Sequence, residues 1–92
     1  MSSQKKYKKN SNCVSTKLNG EYVLLHLETG EYLKINESGA FIWDLLDKHM
    51  DSHMISTAVS ERYGINLQQS QEDVAQFLSL ATEKNILEFS DN

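Results

Sequence analysis

Residues 13–46 read CVSTKLNGEYVLLHLETGEYLKINESGAFIWDLL, and the architecture of the chain is decided in this stretch. Asn19-Gly20 sits between two runs of β-branched and apolar residues. Both central residues of a type I′ turn need positive φ, which Asn-Gly supplies at least cost. A turn there sets Leu18 opposite Glu21, Thr16 opposite Val23 and Val14 opposite Leu25. Farther on, Glu28-Thr29-Gly30 fits a three-residue hairpin loop with Gly30 in the left-handed position. That loop sets Leu27 opposite Glu31, Leu25 opposite Leu33 and Val23 opposite Ile35. Side chains alternate along a strand and paired residues share a face. The two registers therefore predict a core face of Val14, Thr16, Val23, Leu25, Leu27, Leu33 and Ile35. Ser15, Lys17, Tyr22, Leu24, His26, Tyr32 and Lys34 fall on the solvent face.

Beyond Ile35 the apolar period becomes helical. Asn36 is placed to cap a helix over Glu37 to Lys48, with Phe41, Ile42, Leu45 and Leu46 on one broad face and Trp43 flanking it. Gly39 costs this helix about 0.5–1 kcal/mol relative to alanine and permits a close backbone approach. A second helix is predicted over Ser52 to Tyr63, burying Ile55, Ala58 and Val59 and closed by Gly64 as a left-handed cap. Ser70-Gln71-Glu72-Asp73 has the form of a capping box, which starts a third helix running from Gln71 to Glu83. Val74, Leu78 and Ala81 make its core stripe. A neighbouring stripe holds Asp73, Phe77, Leu80 and Lys84, two bulky apolar residues between an acid and a base. Ile86-Leu87 is expected to return to the core, with the chain fraying after Phe89. The predicted class is α+β and winged helix-turn-helix-like: a three-stranded antiparallel meander followed by three helices.

Ninety-two residues, 39% of them apolar, supply one small core and no second domain. The longest uninterrupted apolar run is four residues, too short for a membrane span. A single cysteine, Cys13, makes no internal disulfide, and a reducing cytoplasm is the expected compartment. Lys5, Lys6, Lys8 and Lys9 crowd the start, so residues 1–11 read as a flexible basic tail and 12–92 as the folded domain. From Asn10 onward five basic residues face thirteen acidic ones, a net of −8. That acidic body argues against a phosphate-backbone partner. A winged helix that reads DNA brings basic and amide side chains on its third helix to base edges. Here that helix carries Glu72, Asp73 and Glu83 against Lys84.

No catalytic, metal or cofactor site emerges, and the chain is not expected to be an enzyme. Gly30, Gly39 and Gly64 are too scattered to cradle a phosphate. His49 and His53 have i,i+4 spacing, but a helix break falls between them and no Cys or carboxylate completes a zinc set. Cys13 has no histidine near it in sequence.

Residues 30–47 resemble the signature of PqqD-like proteins: an aromatic-containing third strand, then Asn36, the small pair Gly39-Ala40 and Ile42-Trp43 before Leu45-Leu46. Glu61-Arg62-Tyr63-Gly64 and the run Asp73 to Leu78 are similar to the family's second and third helices, so the resemblance covers residues 13–88. Asn85 departs from the pattern, standing where the family often has glycine. The resemblance implies a recognition element that binds the leader of a ribosomally made precursor peptide and presents its core to a processing enzyme. Stand-alone members serve lasso-peptide pathways beside a leader peptidase; others act as peptide chaperones for radical-SAM enzymes, including that of pyrroloquinoline quinone assembly. The implied partners are thus a precursor leader and a peptidase or other modifying enzyme, with no nucleic acid, membrane or cofactor.

The strand pattern itself offers a binding mode. The third strand of a meander is an edge, and its unpaired N–H and C=O groups accept an added strand. The leader is expected to lie antiparallel beside Glu31, Tyr32, Leu33, Lys34 and Ile35. The family resemblance implies that the third helix lies across that edge, so that Phe77 and Leu80 would form an apolar wall, with Asp73 and Lys84 as charged rim. An empty edge is equally open to a second copy of the chain, so homodimerisation is expected as a competing use. A scaffold subunit and a winged-helix regulator are the alternative readings.

Overall fold

A computed structural model describes residues 6–19, 21–48 and 50–90. Its elements are β1 (Lys6–Lys9), β2 (Cys13–Leu18), β3 (Glu21–His26), β4 (Tyr32–Ile35), α1 (Glu37–Leu45), a 3₁₀ turn (Leu46–Lys48), α2 (Ser52–Tyr63), α3 (Leu67–Glu83) and β5 (Leu87–Ser90). Strands β2, β3 and β4 form one antiparallel sheet in that order, and β1 pairs with β5 in a second. The expected three-strand, three-helix α+β plan is therefore present, with a further ribbon joining the two ends of the chain. No helix among the described residues is long and apolar enough to cross a membrane. Gly20, His49 and the ends of the chain (residues 1–5, 91 and 92) lie outside the described residues, and with them part of the Asn-Gly turn, one member of the histidine pair and the outermost part of each end expected to be flexible.

The first hairpin has the predicted register: Leu18 opposes Glu21, Thr16 opposes Val23 and Val14 opposes Leu25, with Asn19 at φ 51°. The second hairpin is shifted by one residue. Ile35 opposes Tyr22, Leu33 opposes Leu24 and Tyr32 opposes Leu25. The loop is Leu27 to Gly30, four residues rather than three, closed by the His26 N–H on Glu31 O (2.8 Å) and the Gly30 N–H on His26 O (2.9 Å). Gly30 takes the left-handed conformation as predicted, at φ 77°. What selects the longer loop is the His26 side chain, whose Nδ1 accepts from the N–H groups of Glu28 and Thr29, both at 3.2 Å.

That shift corrects the predicted faces. Leu24 is 0% and His26 3% exposed, turned inward with Leu33, Ile35 and Cys13. Val14, Thr16 and Leu27 lie on the outer face and are exposed, where the core was expected. Val23 is buried and Leu25 half-buried on that same outer side. A one-residue slip turns every side chain of a strand over, so one misread loop misassigns the face of two strands.

The helices follow the sequence closely, with one revision. Asn36 Oδ1 caps α1 by accepting from the Gly39 N–H at 2.9 Å, and Gly64 ends α2 at φ 65°. Helix α3 starts a turn earlier than expected, because Asn66 is its cap and accepts from the Gln69 N–H at 2.8 Å. Ser70 is not a cap. It is wholly buried, and its Oγ donates to Ser56 O, bolting α3 to α2. Val74, Leu78 and Ala81 are core as predicted. At the far end Asn85 adopts φ 62° while Ile86 N–H bonds Ala81 O and Asn85 N–H bonds Thr82 O. This is a Schellman cap in which asparagine takes the place glycine usually fills.

The basic segment is structured where a tail was expected. Lys6–Lys9 pairs antiparallel with Leu87–Ser90, setting Lys9 opposite Leu87. The Lys9 ammonium lies 2.9 Å from Asp47 and 4.3 Å from the Trp43 ring centroid. Ile86 and Leu87 are buried, as read.

Gly39 brings α1 against β4. A Cβ at this position would sit 2.9 Å from Ile35 Cβ, a branch point that no rotamer change can move. Helix propensity alone favours Gly39→Ala by about 0.5–1 kcal/mol. Overpacking costs about 1–3 kcal/mol and reverses the sign. Thermal unfolding of Gly39→Ala is expected to show a lower midpoint than the wild type; a raised midpoint would refute the close approach.

Candidate functional site

The outer edge of β4 has no second strand partner among the described residues. Because the His26 N–H bonds Glu31 O, the antiparallel alternation turns the backbone groups of Leu33 and Ile35 toward β3. Those of Tyr32 and Lys34 then point away from the sheet, to the open edge. The side chains divide differently. Leu33 and Ile35 pack on the core, while Tyr32 is 56% exposed and Lys34 reaches Glu21 at 3.9 Å across the outer face.

Two hollows lie near the two ends of β4, one reaching Asn36 and the other Glu31 and Tyr32. One, of about 500 Å³, lies where α1, α2 and α3 converge and takes its walls from Asn36, Gly39, Ile42, Tyr63, Ile65, Asp73, Gln76, Phe77 and Leu80. The other, of about 410 Å³, is bounded by Thr29, Gly30, Glu31, Tyr32 and Lys84. Asn85 Nδ2 donates to Glu31 Oε1 at 3.3 Å and ties the end of α3 to the start of β4. Of the residues read from sequence, Asp73, Phe77 and Leu80 thus meet in one hollow, and Glu31, Tyr32 and Lys84 in the other. Lys34 and Ile35 border a third hollow with Glu21, Tyr22, Asn36 and Glu37, away from α3. Phe77 is half-buried against the core, whereas Leu80 is 41% exposed.

Asn36, Gly39, Ile42, Tyr63, Ile65 and Gln76 line the larger hollow and were not among the predicted site residues. Gln76 was within reach, since it lies on the Asp73, Phe77, Leu80 side of the helix. Tyr63 and Ile65 come from another helix and its exit, and no local pattern announces them. The Tyr63 ring meets Phe41 edge-on, 6.0 Å between centroids at 86°. Its hydroxyl oxygen is buried and has no hydrogen-bond partner among the described residues. An unsatisfied buried hydroxyl costs about 1–3 kcal/mol.

Cys13 lies directly opposite His26 across β2 and β3, a neighbourhood the sequence spacing does not suggest. The pair is not arranged as nucleophile and base. His26 Nδ1 is occupied by two loop N–H groups, and Cys13 Sγ is directed at Asn85 O, 3.8 Å away. Burial, and secondarily the Glu88 carboxylate, push the Cys13 thiol above its ordinary pKa. Among the described residues no group of three or more His, Cys, Asp or Glu is disposed to hold a metal.

A three-stranded antiparallel meander followed by three helices defines a winged-helix-like α+β domain. Residues 21–87 match the family of coenzyme PQQ synthesis protein D (PqqD), and the chain belongs to that family. It is similar to TbiB1, solved in complex with the TbiA(β) leader peptide, at 30% identity and a TM-score of 0.79, covering 92% of this chain and 99% of that one. A lasso peptide synthetase B1, solved with its leader peptide, shares the fold at 17% identity and a TM-score of 0.78, covering 89% of this chain and 96% of the other. Among curated proteins there is no match.

The direction of the Cys13 shift is testable. A raised pKa lowers the thiolate fraction at every pH below it, and thiolate is the form that alkylates. Iodoacetamide labelling of the folded protein between about pH 7 and 9 is expected to be slower than that of the urea-unfolded chain, with its midpoint displaced upward. Faster labelling when folded would reveal an activated cysteine.

Proposed function

We propose that this protein is a non-catalytic binder of a ribosomal precursor leader, which it takes up as a fourth strand antiparallel to β4 and presents to a processing enzyme. The observation that carries the reading is the open edge of β4 among the described residues, with the Tyr32 and Lys34 backbone groups directed outward. Both structural relatives are complexes with leader peptides, which supports the same ligand class here. Backbone pairing along Glu31 to Ile35 gives affinity that tolerates sequence, and the two hollows select side chains. Phe77 and Leu80 supply the apolar wall; Asp73 at one end and Lys84 at the other set direction and register more than affinity.

Similarity to a lasso peptide synthetase B1 favours a lasso-peptide leader, passed to a leader peptidase in a reducing cytoplasm. The PqqD match favours the second reading, a peptide chaperone for a radical-SAM enzyme of the pyrroloquinoline quinone type. The two are separated by which precursor leader binds. A second copy of the chain paired on β4 would compete with the leader, so leader addition should dissociate any such dimer.

The test is titration of a fluorescein-labelled leader, synthesised from the short precursor frame beside the gene. Saturable binding at micromolar or better, about −8 kcal/mol, lost on scrambling, is the expected result. Proline at the edge then resolves the mode. Lys34→Pro removes an outward N–H while sparing the β3 ladder, and is expected to fold and to bind at least about ten-fold more weakly. Leu33→Pro removes an inward ladder bond and is expected to lose stability instead. Full affinity in a folded Lys34→Pro protein rules out strand addition at β4.

A further inference from the structure

The hydroxyl of Tyr63 stands out as a polar group with no use in the protein alone. The ring is well held, by the Phe41 edge contact and by the Arg62 guanidinium 5.7 Å from its centroid. A phenylalanine would keep that packing. Tyr63 lines the larger hollow beside Ile42, Val59, Ile65 and Phe77, none of which has a polar side chain to offer its buried hydroxyl. The polar neighbours are engaged elsewhere: Asn36 Oδ1 accepts from Gly39 N–H and Ser38 Oγ, and Asp73 Oδ1 accepts from Gln69 Nε2. Gln76 at the rim makes no bond to it either.

We infer that Tyr63 is a specificity-determining residue whose hydroxyl bonds a neutral hydrogen-bonding group of the peptide that fills this hollow. The inference rests on the leader-binding reading and deepens it. Leu80 lines the same hollow and is 41% exposed. The apolar walls suit an apolar stem, and a charged tip would lose its hydration on reaching a buried hydroxyl, Asp73 being the one charged side chain of the lining. A hydrogen bond in that setting discriminates strongly, because a peptide lacking the polar tip leaves the hydroxyl as orphaned as before.

Tyr63→Phe tests this in two readouts with opposite signs. Without peptide, the variant is expected to melt about 4 °C or more above the wild type, since it removes a buried unsatisfied group. With the labelled leader it is expected to bind about ten-fold more weakly. A panel of leaders, each with one polar side chain replaced by its nearest hydrocarbon, then locates the partner. One position is expected to lose affinity in the wild type and not in Tyr63→Phe. Equal leader affinity in the two proteins overturns the inference, as does a lowered melting temperature or a panel in which every loss is additive. If the wild type binds no leader at all, the parent reading fails with it, and that outcome is recognised by the silence of the wild type itself.

Discussion

The structure depends on a buried imidazole. His26 Nδ1 accepts from two consecutive loop N–H groups, and that pair of bonds holds the β3–β4 connection at four residues. The length of this loop decides the register, and the register decides two further things at once. It turns Leu24 inward, wholly buried, opposite Leu33. It also determines which backbone groups of β4 are spent on β3 and which are left on the edge. Losing the imidazole acceptor would remove two loop hydrogen bonds, each worth about 0.5–1.5 kcal/mol. In a domain whose whole stability is of order 5–15 kcal/mol, that is a large share.

From β4 outward, the groove is held by contacts that fix its walls. Helix α1 lies close because position 39 has no side chain, and α1 ends in the aromatic and aliphatic cluster that α2 and α3 share. Helix α3 is fixed to α2 through Ser70 and to β4 through Asn85 and Glu31. Its last turn is closed by the Schellman bonds, which return the chain into β5. The ribbon of β1 and β5 then clamps the ends of the chain, with Lys9 shared between Asp47 and Trp43. Walls held in this way lower the ordering cost of any ligand that enters, which is the main economy a small binding domain has.

Much of this was legible in the sequence wherever the signal was local. Asn19, Asn36 and Gly64 each mark a boundary through backbone chemistry of their own, and the structure places them as read. The misreadings share one cause, which is that the deciding partner lies elsewhere. A three-residue loop was the natural reading of Glu28-Thr29-Gly30 until the His26 side chain supplied acceptors for a fourth residue. Ser70 has the spacing of a cap, yet its oxygen answers to Ser56, fourteen positions away. The first turn of α3 is rich in glutamine and shows no apolar stripe, so its start at Asn66 passed unmarked. Lys6–Lys9 shows no strand pattern because its pairing comes from residues some eighty positions later. The site divides the same way: the α3 stripe was readable by period, whereas Tyr63 required the packing of two helices.

Antiparallel addition to β4 has a directional consequence. The chain of β4 runs from Tyr32 to Ile35, so a leader paired against it runs from the Asn36 end toward the hairpin loop. Its first residues would pass the larger, apolar hollow, and its last would leave between Glu31 and Lys84. The segment to be processed therefore emerges beside the Leu27–Gly30 loop, where Leu27 is 63% exposed and the outer sheet face begins with Tyr32 and Val14. In that mode selection and presentation would be separated in space. The hollow between the three helices would read the upstream part of the leader, and the open end would leave the downstream part free of the carrier. A carrier that gripped both ends would hide the bond its partner has to reach. Strand addition to β4 would instead loosen the grip toward the downstream end, because the hollow at the Asn36 end is walled by three helices and the one at Glu31 by a loop and Lys84.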